Sequence, residues 1–287
     1  MHEPRYPALT WGDFQLAWGQ RTLIMGIVNM TPDSFSGDGL AVGADAAAWA
    51  ESAATQGLAQ VAEGADIIDV GGASSRPNAA AVPPAVESAR VGPAIRALRA
   101  VLPPHIPISV DTTSVMVAQA ALAAGANMLN DISGLHAEPD LARVAAMAGV
   151  PLILMANMRG ISKHDVVAEV ARYLARGIDR ALAAGVPWDH VILDPGFGFG
   201  NTPAENMTLV RRFDALLALG RPLLLGVSRK STLGAILDDA PVAERLEASL
   251  AAAVAGVQRG AALVRVHDVR ATWRAMRVAD ALRYGVA

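Results

Sequence analysis

The sequence predicts an α/β fold: a single-domain (β/α)8 barrel of the TIM type over residues 21–287, entered through a small N-terminal hairpin over residues 1–20. Three observations carry this expectation. Short β-branched apolar runs alternate with long Ala-rich helical stretches, eight times in succession, which is the pattern of βα units around a parallel sheet. Several helical stretches end in Gly just before the next run, at Gly64, Gly125, Gly149 and Gly260; Gly past a helix end supplies the left-handed cap that turns the chain onward. The length of 287 residues suits one α/β barrel, which typically needs roughly 250 residues, and no linker or low-complexity tract divides it.

The elements follow in order. Residues 10–20, TWGDFQLAWGQ, place apolar residues on both sides of a polar centre, so a hairpin closing the lower end of the barrel is expected. Strands are expected at 23–28, 67–70, 106–110, 128–130, 152–155, 191–193, 223–226 and 263–266. Continuous apolar runs of this length suit strands covered on both faces. Helical stretches after them include 243–258 and 272–283, Ala-rich enough to offer a subunit interface.

Composition narrows the function classes. The chain is 53% hydrophobic but only 5% aromatic, so its core must be built from Ala, Val, Leu and Ile, the residues that fill barrel interiors. A net charge of −3 without a basic half argues against a nucleic-acid partner, which needs a concentrated basic face. With no cysteine, disulfides, thiolate catalysis and Cys-ligated metals are excluded. The N-terminal MHEPRYPALTWGDF lacks a basic region followed by an apolar core, so no secretory signal is expected. Mean hydropathy is high at +0.33, yet the longest apolar run, 144–156, is broken by Gly149 and Pro151 and falls short of the ~20 residues a membrane span needs. A soluble, cytoplasmic enzyme with no membrane contact is the expectation.

In a βα barrel the polar residues at strand C-termini face the active site. Here those ends carry Asn29, Asp69, Asp111, Asn130-Asp131, Asn157, Asp194, Ser228-Arg229-Lys230 and Arg265-His267-Asp268. Asp and Asn at such positions also cap helices, but nearly every strand end is polar. The loops after strands seven and eight make the usual anion pocket of this fold, and Ser228, Arg229, Lys230, Arg265 and His267 stand there. The substrate expected is a hydrogen-bonding heterocycle with a polyphosphorylated tail. Asp194, ahead of Pro-Gly, suits two hydrogen bonds from an amidine-like edge. Asn130 offers donor and acceptor to the same ring, and Asp131 beside it can equally be structural. Of the adjacent cations, Lys230 is expected to point inward and Arg229 to form a structural ion pair. His267 is the histidine beside the anion pocket, and no second histidine lies near enough for a zinc site. Three loops rich in turn residues, 29–39, 71–79 and 194–206, are expected to include active-site lids. The G-x-G-x-G spacing of DPGFGFG is not the dinucleotide fingerprint.

Taken together, these segments resemble the dihydropteroate synthase family: IMGIVNMTPDSFS at 24–36, DVGGASSRP at 69–77, SVDT at 109–112, NDISG at 130–134, LDPGFGFGNTPAEN at 193–206, GVSRKS at 226–231 and RVHDV at 265–269. The resemblance covers residues 24–269 in family order. It implies a TIM barrel, usually a homodimer, that joins 6-hydroxymethyl-7,8-dihydropterin diphosphate to 4-aminobenzoate and releases pyrophosphate. On that resemblance Asp111, Asn130, Met155, Asp194 and Lys230 would hold the pterin. Asn29, Arg76, Arg265 and His267 would hold the diphosphate, with Asn29 also contacting Mg²⁺, and Phe35, Ser75, Arg76, Pro77 and Ser228 would surround the 4-aminobenzoate. Asp33 on the first lid would join Asp111, Asp194 and Lys230 as the catalytic set, in a dissociative displacement without a covalent enzyme intermediate.

This chain departs from the family in three places. Where GGESTRP is common it has GGASSRP, so Ala73 removes a carboxylate and Ser75 a methyl, with an expected effect on affinity for 4-aminobenzoate or for the sulfonamides that mimic it. The first loop reads Phe35-Ser36-Gly37-Asp38-Gly39 where FSDGG is usual. Strand five ends Met155-Ala156-Asn157-Met158, without the family's His. Competing readings are a catalytically idle pterin-binding paralogue, a methyltetrahydrofolate-binding methyltransferase barrel, which has no use for the anion cluster, and a sugar-phosphate barrel enzyme, which leaves Asp111, Asn130 and Asp194 unexplained.

Overall fold

The computed structural model describes residues 5–31, 46–74 and 80–285. Two short strands, β1 (Leu9–Trp11) and β2 (Phe14–Leu16), form an antiparallel hairpin in which Leu9 faces Leu16. Eight parallel strands follow: β3 (Leu23–Asn29), β4 (Ile67–Gly71), β5 (Ile108–Asp111), β6 (Met128–Asp131), β7 (Leu152–Met155), β8 (Val191–Asp194), β9 (Leu224–Leu225) and β10 (Leu263–Val266). Their order is β8-β7-β6-β5-β4-β3-β10-β9. The ring closes where Leu193 of β8 bridges Leu223, just before β9, in parallel and donates its N–H to the Pro222 carbonyl at 3.0 Å. The helices are α1 (Ala46–Ala62), α2 (Pro84–Val101), α3 (Val115–Ala123), α4 (Leu141–Ala148), α5 (Val166–Ala183), α6 (Pro203–Arg211), α7 (Ser231–Ile236), α8 (Leu246–Gln258) and α9 (Val269–Tyr284). This is the expected (β/α)8 barrel.

Two strands are shorter than their apolar runs. Pro107 has no N–H for the ladder, so β5 starts at Ile108, although the Pro107 carbonyl still accepts from Ile68 at 3.1 Å. Pro222 precedes β9, which pairs with β10 through Leu224 and Leu225. At the other ends, β3 to β6 and β8 run one residue beyond the apolar stretch to include Asn29, Gly71, Asp111, Asp131 and Asp194. Polar strand ends therefore keep the ladder's backbone geometry, and their side chains inherit fixed directions from it. The four glycines read as caps all carry positive φ.

The hairpin seals the N-terminal end of the barrel. Leu9, Trp11, Leu16 and Trp18 are buried in the same apolar cluster as the strands. The Trp11 indole donates to the Asn127 carbonyl at 2.9 Å, one residue before β6, and that polar anchor fixes how the hairpin sits. Among the described residues no helix is long and apolar enough to cross a membrane.

Candidate active site

Parallel closure sends all eight strand C-termini to one face, and a cavity opens there. It is lined by Asn29 of β3, Gly71 of β4, Asp111 of β5, Asn130 of β6, Met155 of β7, Asp194 of β8, Arg265 of β10, and Ser228, Lys230 and His267 just past strand ends. Acidic and amide groups thus share a mouth with cations, and Asp194 and Arg265 open onto the same space. Asp33, Phe35, Ser75, Arg76 and Pro77 lie outside the described residues.

Other polar strand ends serve the scaffold. Asp131 is fully buried and turned back on its own loop, accepting from the Ser133 N–H at 2.8 Å and the Leu135 N–H at 2.6 Å. Asp268 pairs with Arg229, whose Nε donates to its Oδ2 at 2.9 Å. Arg229 takes the left-handed backbone conformation, φ 56°, and its side chain pairs with Asp268 while Lys230 lines the cavity. The two cations divide as expected. Asp69 departs from the expectation: it is the third residue of five in β4, not an end residue, and its side chain lies wholly inside the barrel.

The charged groups are tightly cross-linked. Arg265 donates from Nε to Asp69 Oδ2 at 2.6 Å and from Nη2 to Asp111 Oδ2 at 2.9 Å. Asn130 Nδ2 donates to the same Asp69 oxygen at 3.1 Å. Asp194 Oδ1 accepts from the Gly196 N–H at 2.8 Å. Ser228 Oγ lies 2.9 Å from His267 Nδ1 and accepts from the His267 N–H at 3.2 Å. Burial pushes Asp111 up to about 7, with Arg265 opposing it and Asp69 adding to it. Burial likewise pushes Asp194 up to about 6 against the Gly196 N–H and the Lys230 charge. Burial lowers Lys230 to about 8, aided by Arg265, while Asp194 and Asp111 hold its proton. For Arg265 burial works against the charge, but Asp69 and Asp111 outweigh it and its pKa is raised. Several ionisable groups are thus poised near neutrality in one cleft, a pattern typical of functional sites.

The comparisons with known proteins agree with this geometry. The sequence matches the family described as pterin binding enzyme over residues 25–267. The chain belongs to the pterin-binding enzyme family. It is 43% identical to the dihydropteroate synthase of a Synechocystis species, over 96% of this chain and 95% of that one. Among solved structures it is similar to Xanthomonas albilineans dihydropteroate synthase in complex with 7,8-dihydropteroate, at 40% identity and a TM-score of 0.85, covering 97% of this chain and 99% of that one. It is also similar to Yersinia pestis dihydropteroate synthase in a sulfonamide drug complex, at 36% identity and a TM-score of 0.89, covering 96% and 99%.

In this member of the pterin-binding family the cavity wall includes Thr31, expected in the first lid loop, and residues that the sequence did not single out: Ile132, Arg159, Phe199 and Ser231. Phe199 is the most telling. Lys230 Nζ lies 4.2 Å and Arg159 Cζ 5.0 Å from its ring centroid, so two cations lie within cation–π range of one aromatic ring. The signal was present in DPGFGFG, whose Phe residues stand among glycines. The positions of those glycines explain the motif. Gly196 has φ 72°, and a Cβ there would sit 1.8 Å from the Ala156 carbonyl oxygen. At Gly200 a Cβ would lie 2.3 Å from the Arg159 backbone nitrogen. The loop after β8 is packed backbone to backbone against the loop after β7, and Met158 N–H donates to the Phe199 carbonyl at 2.9 Å. That contact delivers Phe199 and Arg159 to the cavity together. Gly196→Ala is expected to lower stability by at least about 2 kcal/mol, from positive φ and backbone overlap; chemical denaturation of the two proteins measures it.

Proposed function

We propose that this protein is a dihydropteroate synthase of folate biosynthesis, joining 6-hydroxymethyl-7,8-dihydropterin diphosphate to 4-aminobenzoate with release of pyrophosphate. The observation that carries the reading is one cavity holding Asp194, Asn130 and Asp111 beside Lys230, Arg265, Ser228 and His267. The first group suits the N–H edge of a flat heterocycle, and the second suits a diphosphate. Asp194 accepts from the amino-pyrimidine edge, and Lys230 donates to the ring's acceptors. His267, Ser228 and the outward donors of Arg265 take the phosphate oxygens.

The reaction proceeds by cleavage of the bond between the pterin methylene carbon and the diphosphate oxygen, with the electron pair leaving on pyrophosphate. The methylene cation is delocalised into the ring, and the nearby Asp111 and Asp194 carboxylates offset its charge. The arylamine nitrogen then bonds to the methylene and loses a proton. Phe199, beside Lys230 and Arg159, offers an aromatic wall for the second ring, and the proposed lid residues Asp33, Phe35, Ser75, Arg76 and Pro77 would complete the enclosure.

Mg²⁺ is usually held by substrate phosphates with one or two protein oxygens. Asn29 on the cavity wall suits that role; Mg²⁺ bound there would neutralise charge on the departing pyrophosphate. We also place the protein in the cytoplasm, where folate precursors are made, and propose a homodimer through α8 and α9. Val278 and Leu282 lie one turn apart on α9, 63% and 76% exposed.

Purified protein with Mg²⁺, pterin diphosphate and 4-aminobenzoate is expected to release pyrophosphate; tight pterin binding without release would instead indicate an idle paralogue. Lys230→Ala should raise the pterin KM roughly thirtyfold or more, because a buried charge loses its partner, and unchanged kinetics would overturn the role given to Lys230. Pterin affinity should fall as pH drops through about 7 and then about 6, where Asp111 and Asp194 gain protons. It should fall again as pH rises through about 8, where Lys230 loses its proton; titration calorimetry across this range reads both limbs. Sedimentation at micromolar concentration should give twice the chain mass, and Leu282→Glu should give the single mass.

A further inference from the structure

The proposed reaction uses every charged side chain at the cavity floor but one. Asp69 is fully buried in mid-β4 and lies beneath the cavity, not in its wall. Its Oδ2 receives two hydrogen bonds, from Arg265 Nε at 2.6 Å and from Asn130 Nδ2 at 3.1 Å. Each has a directional consequence.

An Asn side chain presents a donor on one side and an acceptor on the other. With a carboxylate oxygen beneath it, the amide must turn its NH₂ downward, since the opposite orientation would bring two acceptors together. The amide atom left for the cavity is therefore Asn130 Oδ1, an acceptor. The guanidinium is held in the same way. With Nε on Asp69 and Nη2 on Asp111, its plane is fixed at two points and its remaining N–H groups face the cavity. A carboxylate that is never in the cavity thus determines the direction of two groups that are.

We infer that Asp69 is a positioning residue for substrate selection: it turns the Asn130 carbonyl toward the ring and clamps Arg265, so that the pocket accepts a heterocycle edge that donates N–H. A ring with a lone pair at that edge would face Asn130 Oδ1 acceptor to acceptor and leave it unpaired, which is how polar sites reject close analogues. This rests on the proposed pterin substrate.

The test uses the full chain. Steady-state KM values for pterin diphosphate and for 4-aminobenzoate are measured for the wild type, Asp69→Asn, Asn130→Ala and the double variant. Asp69→Asn keeps the shape and removes the charge. It is expected to raise the pterin KM by about tenfold or more, the usual cost of losing a supporting partner, and to leave the 4-aminobenzoate KM nearly unchanged. Asn130→Ala should add little in the Asp69→Asn background, because without the Asp69 charge the Asn130 amide is no longer held with its carbonyl toward the ring. An unchanged pterin KM, equal rises in both KM values, or fully additive effects would overturn the inference. Wild-type protein that does not turn over would refute the proposed function, which is a separate outcome. Should Asp69→Asn not fold, the wild type still decides the matter by NMR. The Asn130 side-chain amide protons, assigned by their loss in Asn130→Ala, should exchange slowly and barely shift when pterin diphosphate is added. Fast exchange or a large shift would mean that the NH₂ faces the cavity.

Discussion

The bridge from Arg265 to Asp69 and Asp111 is the interaction on which the rest of this site depends. One fully buried and two partly buried charges at the floor of a barrel must compensate one another. Arg265 does this from β10, reaching β4 with one nitrogen and β5 with another. Those strands are neighbours or near neighbours around the ring, since β10 and β4 both flank β3. The cross-link therefore belongs to the closed barrel and ties three strands at the level where the ligand would rest. Asn130 joins from β6 through the shared Asp69 oxygen, extending the network to the acceptor side of the pocket.

This network also sets the chemistry available above it. Burial and crowding bring Asp111 to about 7, Asp194 to about 6 and Lys230 to about 8. An isolated buried carboxylate would simply remain protonated. Here neighbouring cations keep both acids close to ionisation, so a ligand edge rich in N–H groups completes the compensation. A second device stands beside it. The loop after β8 lies backbone to backbone on the loop after β7, made possible by Gly196 and Gly200, and it sets Phe199 beside Lys230 and Arg159. Polar recognition and the aromatic wall thus meet at Lys230.

Much of this was legible in the order of residues. Alternating apolar runs and helices specify the barrel, because strands covered on both faces and helices covered on one leave different periodicities. Polar residues closing those runs at Asn29, Asp111, Asn130, Asp194, Ser228 and Arg265 mark the cavity, since parallel topology sends every such end to one face. The inward turn of Lys230 and the structural ion pair of Arg229 were also legible, although its partner, Asp268, was not. The strand limit at Pro107 was less legible, because an apolar run says nothing of which backbone N–H groups are missing from the ladder.

By itself the sequence determined the fold class, the family and the list of groups that share the mouth, since these rest on local pattern and on motif order. Tertiary structure alone decided direction. Asp69, Asp111 and Arg265 are separated by up to 196 positions, and only closure of the ring shows that one carboxylate supports the cavity from below while the other lines it. The same holds for Asn130, whose amide can present either face until a charge beneath it chooses. Hydrogen-bond direction is a property of the partner across space, and adjacency in the chain carries no record of it.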